Sequence, residues 1–244
     1  ARREDQQVEL AVRQRDVDAV ARAYPRARFA CVDYAPGPTG VPANVRGLVF
    51  REEEGAFLVG ATAGLLSHTG HVGFVGGMTI PLIKKFELGY QEGVRATCAS
   101  CVVHVGYAGS TPDAFKDPER GKTISIAHIA AGADVLFHAA GSSGHGVFQA
   151  AHDARVLAIG VDSDQHDEMP DVIVTSMVKR VDVAIYDTIR DLKDGRFEPG
   201  VRSFGIADEG VDYVHEGEHA RLLPLAVRER VDVLKGEIAR GERK

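Results

Sequence analysis

Apolar residues fall along this chain in two alternating patterns. Short runs of five or six read as buried strands: Arg28–Asp33, Val45–Phe50, His71–Val75, Cys101–Gly106, Val135–Ala139, Val156–Val161 and Val172–Ser176. Between them lie stretches with helical spacing: Val17–Tyr24, Glu53–Ser67, Pro81–Ala96, Pro118–Gly132, Gly144–Ala154 and Val181–Lys193. In the last of these, Val181, Ile185, Ile189 and Leu192 share one face. A final helix near Pro224–Arg240 carries Val227, Val231, Leu234 and Ile238 as its stripe, after a short segment, Ser203–Val214, to which no element is assigned. Strands alternating with helices predict an α/β fold with a parallel sheet. Gly60, Ala61, Ala63 and Gly64 predict a helix that packs closely on that sheet. His71 to Asp194 supplies enough βαβ units for one complete lobe. The two strands and two helices before it form an incomplete set, and the final helix is expected to fold back onto that first lobe.

Composition narrows the function classes. The 244 residues carry a formal net charge of −6, which argues against a broad nucleic-acid footprint. No apolar run reaches membrane-spanning length. The opening ARREDQQ does not read as a signal peptide, which a mature secreted chain would already have lost. Cys98 and Cys101 form a C-x-x-C without a second pair, so a short disulfide or two plain turn cysteines are favoured over a metal or redox site.

Candidate chemistry gathers after three strands. Val135–Ala139 runs into Gly141-Ser-Ser-Gly-His-Gly146, a glycine loop that brings backbone N–H groups close to a ligand or simply makes a tight turn. Asp162 ends a strand 21 residues after Gly141, an offset at which an acid accepts hydrogen bonds from ribose hydroxyls. Asp164 offers a second carboxylate. Lys179 follows Val172–Ser176 and is either a ligand contact or a surface lysine beside Arg180. No catalytic grouping and no metal site emerge. His215 and His219 spell H-E-G-E-H, but the central glycine and the flanking Gly210 and Pro224 do not suit a zinc-binding helix.

At these residues the chain resembles the basic membrane protein (Bmp) family, the purine-nucleoside receptors among ABC-transporter substrate-binding lipoproteins. GHVGFVGGMTIPLIKKFELGYQEGV and DVLFHAAGSSGHGVFQAA carry the likeness most strongly, with IGVDSDQ and TSMVKRVDVAIYD. The resemblance implies a type I periplasmic-binding-protein fold, with two Rossmann-like lobes joined by a hinge. Residues 1–69 plus 205–244 would form an incomplete N-terminal lobe and 70–204 the C-terminal one. It implies a non-enzymatic, extracytoplasmic receptor, periplasmic or lipid-anchored at the cell surface, which clamps a purine nucleoside for an ABC importer. Its partners are the nucleoside and a permease, with no nucleic acid and no cofactor.

By the same resemblance Phe115 stacks on the base, Asp162 and Lys179 hold the ribose, Gly141 lines the pocket and Asp18 contacts the base, with Asp16 as the alternative. The family's opening strand, aromatic loop and helix are missing or collapsed near Leu10–Arg15. Thr111-Pro-Asp-Ala114 lengthens the loop before Phe115 and is expected to move that ring. In an oxidising compartment Cys98 and Cys101 would close a disulfide. Two alternatives stand beside this reading: the same fold binding riboflavin or another ring-plus-polyol ligand, or a nucleoside-processing enzyme or cytoplasmic sensor.

Overall fold

The computed structural model describes residues 14–34, 36–37 and 39–243. The junction expected at Leu10–Arg15 lies largely outside them, and so does the side chain of Asp16. Contacts divide the chain into two compact units. One holds the described residues up to Phe50 with Arg180–Phe204 and Asp208–Gly210. The other holds Arg51–Lys179, Gly205–Ala207 and the chain from Val211 onward. The chain thus passes between the units after Phe50, Lys179, Phe204, Ala207 and Gly210, where the anticipated divisions were after 69 and 204.

The smaller unit is built on three parallel strands, β1 (Phe29–Val32), β2 (Val45–Phe50) and β8 (Gly200–Phe204), in the order β1-β2-β8. Its helices are α1 (Gln14–Ala23) and α6 (Val181–Lys193). Phe50 and Phe204 pack ring against ring at 5.7 Å. Arg46, 4% exposed, donates to Asp191 at 2.7 Å and lies over the Phe197 ring. On α6 the buried positions are Ala184 and Thr188, whereas Ile189 and Leu192 of the anticipated stripe are exposed. Helical spacing places residues on one face, but only a neighbouring element decides whether that face is covered.

The larger unit has six strands in the order β4-β3-β5-β6-β7-β9. Here β3 is His71–Met78, β4 Val102–Gly109, β5 Val135–Ala139, β6 Leu157–Asp162, β7 Ile173–Lys179 and β9 Val211–Tyr213. All neighbours are parallel except β7 with β9. Phe74, Phe137 and Leu136 on the central strands are wholly buried, as β-rich sequences between two helical layers require. The helices are α2 (Glu52–Leu66), α3 (Pro81–Thr97), α4 (Pro118–Ala130), α5 (Gly144–Ala154) and α7 (Leu225–Ala239).

Three expectations change here. The small residues of α2 face a helix rather than the sheet: a Cβ at Gly89 would meet the backbone of Glu53, and one at Gly93 would lie 2.7 Å from the Ala61 nitrogen. The paired spacings Gly60/Gly64 on α2 and Gly89/Gly93 on α3 let the two backbones touch. Second, the short segment 203–214 carries sheet structure that its sequence did not reveal. It contains the end of β8 and all of β9, both too short to show a period in sequence. Third, α7 does pack on α2, a helix expected in the first lobe, but both belong to the larger unit. Tyr213 of β9 donates to Asp232 at 2.8 Å and Lys235 meets Asp212 at 2.5 Å, tying α7 to the sheet edge.

Candidate functional site

Four of the five candidate residues converge on one line, the carboxyl edge of the larger sheet. Phe115 lies in a short 3-10 turn, 112–115, that follows β4. Its ring rests on Gly77 near the end of β3, where a Cβ would fall 2.7 Å from Cζ and nearer to Cε1 and Cδ1. Gly141 follows β5, Asp162 ends β6 and Lys179 ends β7. β3, β5, β6 and β7 are consecutive neighbours in the sheet. Open α/β sheets take ligands outside the carboxyl ends of their strands, because strand-end loops there leave backbone and side chains uncommitted.

The sequence builds this edge locally. Thr111-Pro-Asp-Ala114 forms the turn that buries Ala114 and sets the Phe115 ring against Gly77. Asp117 then caps α4, its carboxylate accepting from the Arg120 N–H at 2.9 Å, with Pro118 as first helical residue. Ser143 in the glycine loop locks onto this turn. Its hydroxyl donates to the Ala114 carbonyl and accepts from the Asp117 N–H, each at 2.8 Å. Gly141 takes φ +53, and a Cβ there would stand 3.0 Å from the Phe115 carbonyl. Glycine is therefore required twice over, by backbone conformation and by closeness. Under the loop, His138 is fully buried at the Cβ position of Gly144 and meets Phe148 edge-on at 5.0 Å. Burial holds its imidazole well below the usual histidine range, at about 4, so it is neutral.

Asp162 also has a left-handed backbone, φ 67, and an exposed side chain. It pairs in register with Val178, so Lys179 is the next residue along the adjoining strand. The surface-lysine reading does not hold: the Lys179 side chain is 7% exposed and its ammonium lies 3.1 Å from Glu52 Oε1. Asp164 is not an open second carboxylate. It receives His219 Nε2 at 2.9 Å and the His166 N–H at 3.1 Å. Burial pushes its carboxyl up, but these bonds and the nearby imidazoles hold it below the ordinary value. His219 also points Nδ1 at the Val174 carbonyl, 3.1 Å away, while His215 stacks on Tyr213. H-E-G-E-H thus anchors a loop, and among the described residues no cluster of potential ligands could hold a metal ion.

Asp18 sits in the smaller unit, on α1. Its Oδ1 accepts from the Tyr34 hydroxyl at 2.6 Å. Asp33, to which the sequence reading gave no role, directly follows β1 with φ 54 at the carboxyl edge of that unit's own sheet. An acid as the last residue of the predicted strand Arg28–Asp33 was the signal for it. Cys98 and Cys101 are joined as a disulfide across a turn, and Cys31 is unpaired.

Comparison with known proteins agrees with this geometry. The family of PnrA-like ABC transporter substrate-binding proteins (Bmp) matches residues 12–235. The CD4+ T-cell-stimulating antigen of Listeria monocytogenes is 33% identical over 93% of this chain and 65% of its own length. The ABC transporter nucleoside-binding protein BmpA of Lactococcus lactis is 30% identical over 90% of this chain and 66% of its own. The chain therefore spans slightly under two thirds of these relatives. An ABC transporter solute-binding protein from Aeropyrum pernix superposes with a TM-score of 0.79 and 29% identity, over 95% of this chain and 74% of that one. The fold is the α/β periplasmic-binding-protein fold. By residues, topology and fold together, this chain belongs to the PnrA-like (Bmp) family of ABC transporter substrate-binding proteins.

Proposed function

We propose that this chain binds a purine nucleoside at the carboxyl edge of its larger sheet and serves as the extracytoplasmic receptor of an ABC importer. The observation that carries the reading is the placement of Phe115, Gly141, Asp162 and Lys179 along four adjacent strand ends. Three inter-strand steps of about 4.8 Å span roughly 14 Å. That length suits a flat base at one end and a sugar at the other.

The aromatic ring offers a π face, and stacking on it contributes about 1–3 kcal/mol per base. The exposed Asp162 carboxylate accepts from two vicinal hydroxyls, while Lys179 donates to a sugar or heterocycle oxygen. Gly141 lets the ligand approach the backbone. No step makes or breaks a covalent bond, so the chain captures and releases its ligand unchanged. The nucleoside-binding name of the Lactococcus lactis relative supports the ligand class. The disulfide at Cys98–Cys101 supports an oxidising location.

Native mass spectrometry of the purified chain, followed by calorimetric titration with guanosine, adenosine and riboflavin, tests the proposal. A nucleoside is expected to bind, and Asp162→Asn to weaken it by about 1.5–3 kcal/mol, the worth of a charged hydrogen bond. Binding of riboflavin alone, or nucleoside affinity indifferent to Asp162, would sink the reading.

A further inference from the structure

Glu52 is the first residue of α2, and an acid there suits the helix dipole. The dipole does not explain its burial. Glu52 is 1% exposed, and a carboxylate so far from water is costly unless it is paired. Two ammonium groups pair it. Lys179 lies 3.1 Å from Oε1 and Lys85 3.1 Å from Oε2. The two lysines are not equivalent, since the Lys179 side chain is 7% exposed and that of Lys85 42%. The stronger coupling is with the buried one, where solvent screens least. Glu53 and Glu54, also in the first turn, serve the dipole without being buried to this degree.

We propose that Glu52 is a positioning and specificity residue of the ligand site: it fixes the Lys179 ammonium at the carboxyl edge beside Asp162 and compensates its charge, so that the edge takes an uncharged ribose and turns away a ribose phosphate. This rests on the nucleoside reading above. With Glu52 taking up the charge of Lys179, the carboxylate of Asp162 is the charge that a ligand meets beside that pair. A phosphate monoester brings about −1.5 to −2 more, and repulsion follows. Neutralising Glu52 removes that bias and leaves the ammonium less compensated toward a phosphate. It also loosens the lysine, so a neutral sugar loses part of its grip.

The test is calorimetric titration of the full chain with guanosine and with guanosine 5′-monophosphate. Wild type is compared with Glu52→Gln, Lys179→Met, the double variant and Lys85→Met. Wild type is expected to prefer guanosine. Glu52→Gln is expected to weaken guanosine about tenfold and to narrow the guanosine-to-monophosphate ratio by about the same factor, the scale of one charged hydrogen bond. Adding Glu52→Gln to Lys179→Met should move the ratio little, and Lys85→Met should keep it at the wild-type value.

If Glu52→Gln fails to fold, Glu52→Asp carries the test. It keeps the charge but draws the carboxylate back by one methylene, and guanosine should again weaken. A folded Glu52 variant with wild-type affinity and ratio overturns the inference and leaves the nucleoside reading standing. So does an undiminished effect in the Lys179→Met background. A wild type that binds neither probe overturns both.

Discussion

Adding one methyl group at Gly77 tests the stacking role of Phe115 without touching the ring itself. A Cβ at Gly77 would stand 2.7 Å from Phe115 Cζ and nearer still to two other ring atoms, whereas ordinary contact begins at 3.4 Å. The ring must therefore retreat by roughly 1 Å, which it can do by turning about its own side-chain torsions at small cost in stability. A gap of about 0.5–1 Å forfeits a quarter to a half of a van der Waals contact. Applied to a stacking energy of about 1–3 kcal/mol, Gly77→Ala should cost about 0.3–1.5 kcal/mol, a roughly two- to twelvefold rise in Kd. Phe115→Ala removes the whole ring and should cost about 1–3 kcal/mol. Calorimetry with guanosine reads the affinities, and thermal melts by circular dichroism confirm that both variants fold. If both melt as wild type does and bind guanosine as tightly, Phe115 is no stacking partner and the base lies elsewhere.

Two further predictions concern stability. Gly93→Ala places a Cβ 2.7 Å from the Ala61 nitrogen, a backbone atom that cannot swing aside. Overpacking of this kind costs about 1–3 kcal/mol, against up to about 1 kcal/mol gained in helix propensity, so urea unfolding should show a net loss. Gly236→Ala makes the same exchange in α7, where the nearest atom, at 3.0 Å, is the far end of the Arg240 side chain, and it should stabilise by about 0.5–1 kcal/mol. Equal signs for the two would refute the close packing of α2 on α3.

The buried His138, held neutral down to about pH 4, binds its proton less readily folded than unfolded. Its effect is absent above the unfolded value near 6.5. It then destabilises by up to about 1.4 kcal/mol per pH unit as pH falls from about 6.5 toward 4. His138→Phe should flatten that limb of a stability-versus-pH curve, and an unchanged limb would exclude His138 as its source.

Apolar spacing alone located nearly every strand and helix of the larger unit. Val135–Ala139 and Gly144–Ala154 there, and Val181–Lys193 in the smaller unit, match to the residue, because repeat and breakers are both local properties of the chain. The strand-end positions of Gly141, Asp162 and Lys179 were legible for the same reason. Phe115 and Asp18 came only from family likeness, since nothing near them marks a ligand contact. What the chain could not disclose was partnership between distant residues. Glu52 lies one residue before the helix expected from Glu53, with no role assigned, until β7 brings Lys179 to it. Asp164 reads as an open carboxylate until His219, 55 positions later, closes on it. Gly77 reads as a strand end until the Phe115 ring comes to rest there. α7 reads as a spare helix until Tyr213 and Lys235 bind it to the larger unit. Local sequence fixes backbone periodicity because its forces act within a few residues. Burial, charge pairing and ring contact depend on which elements become neighbours, and only the folded chain decides that.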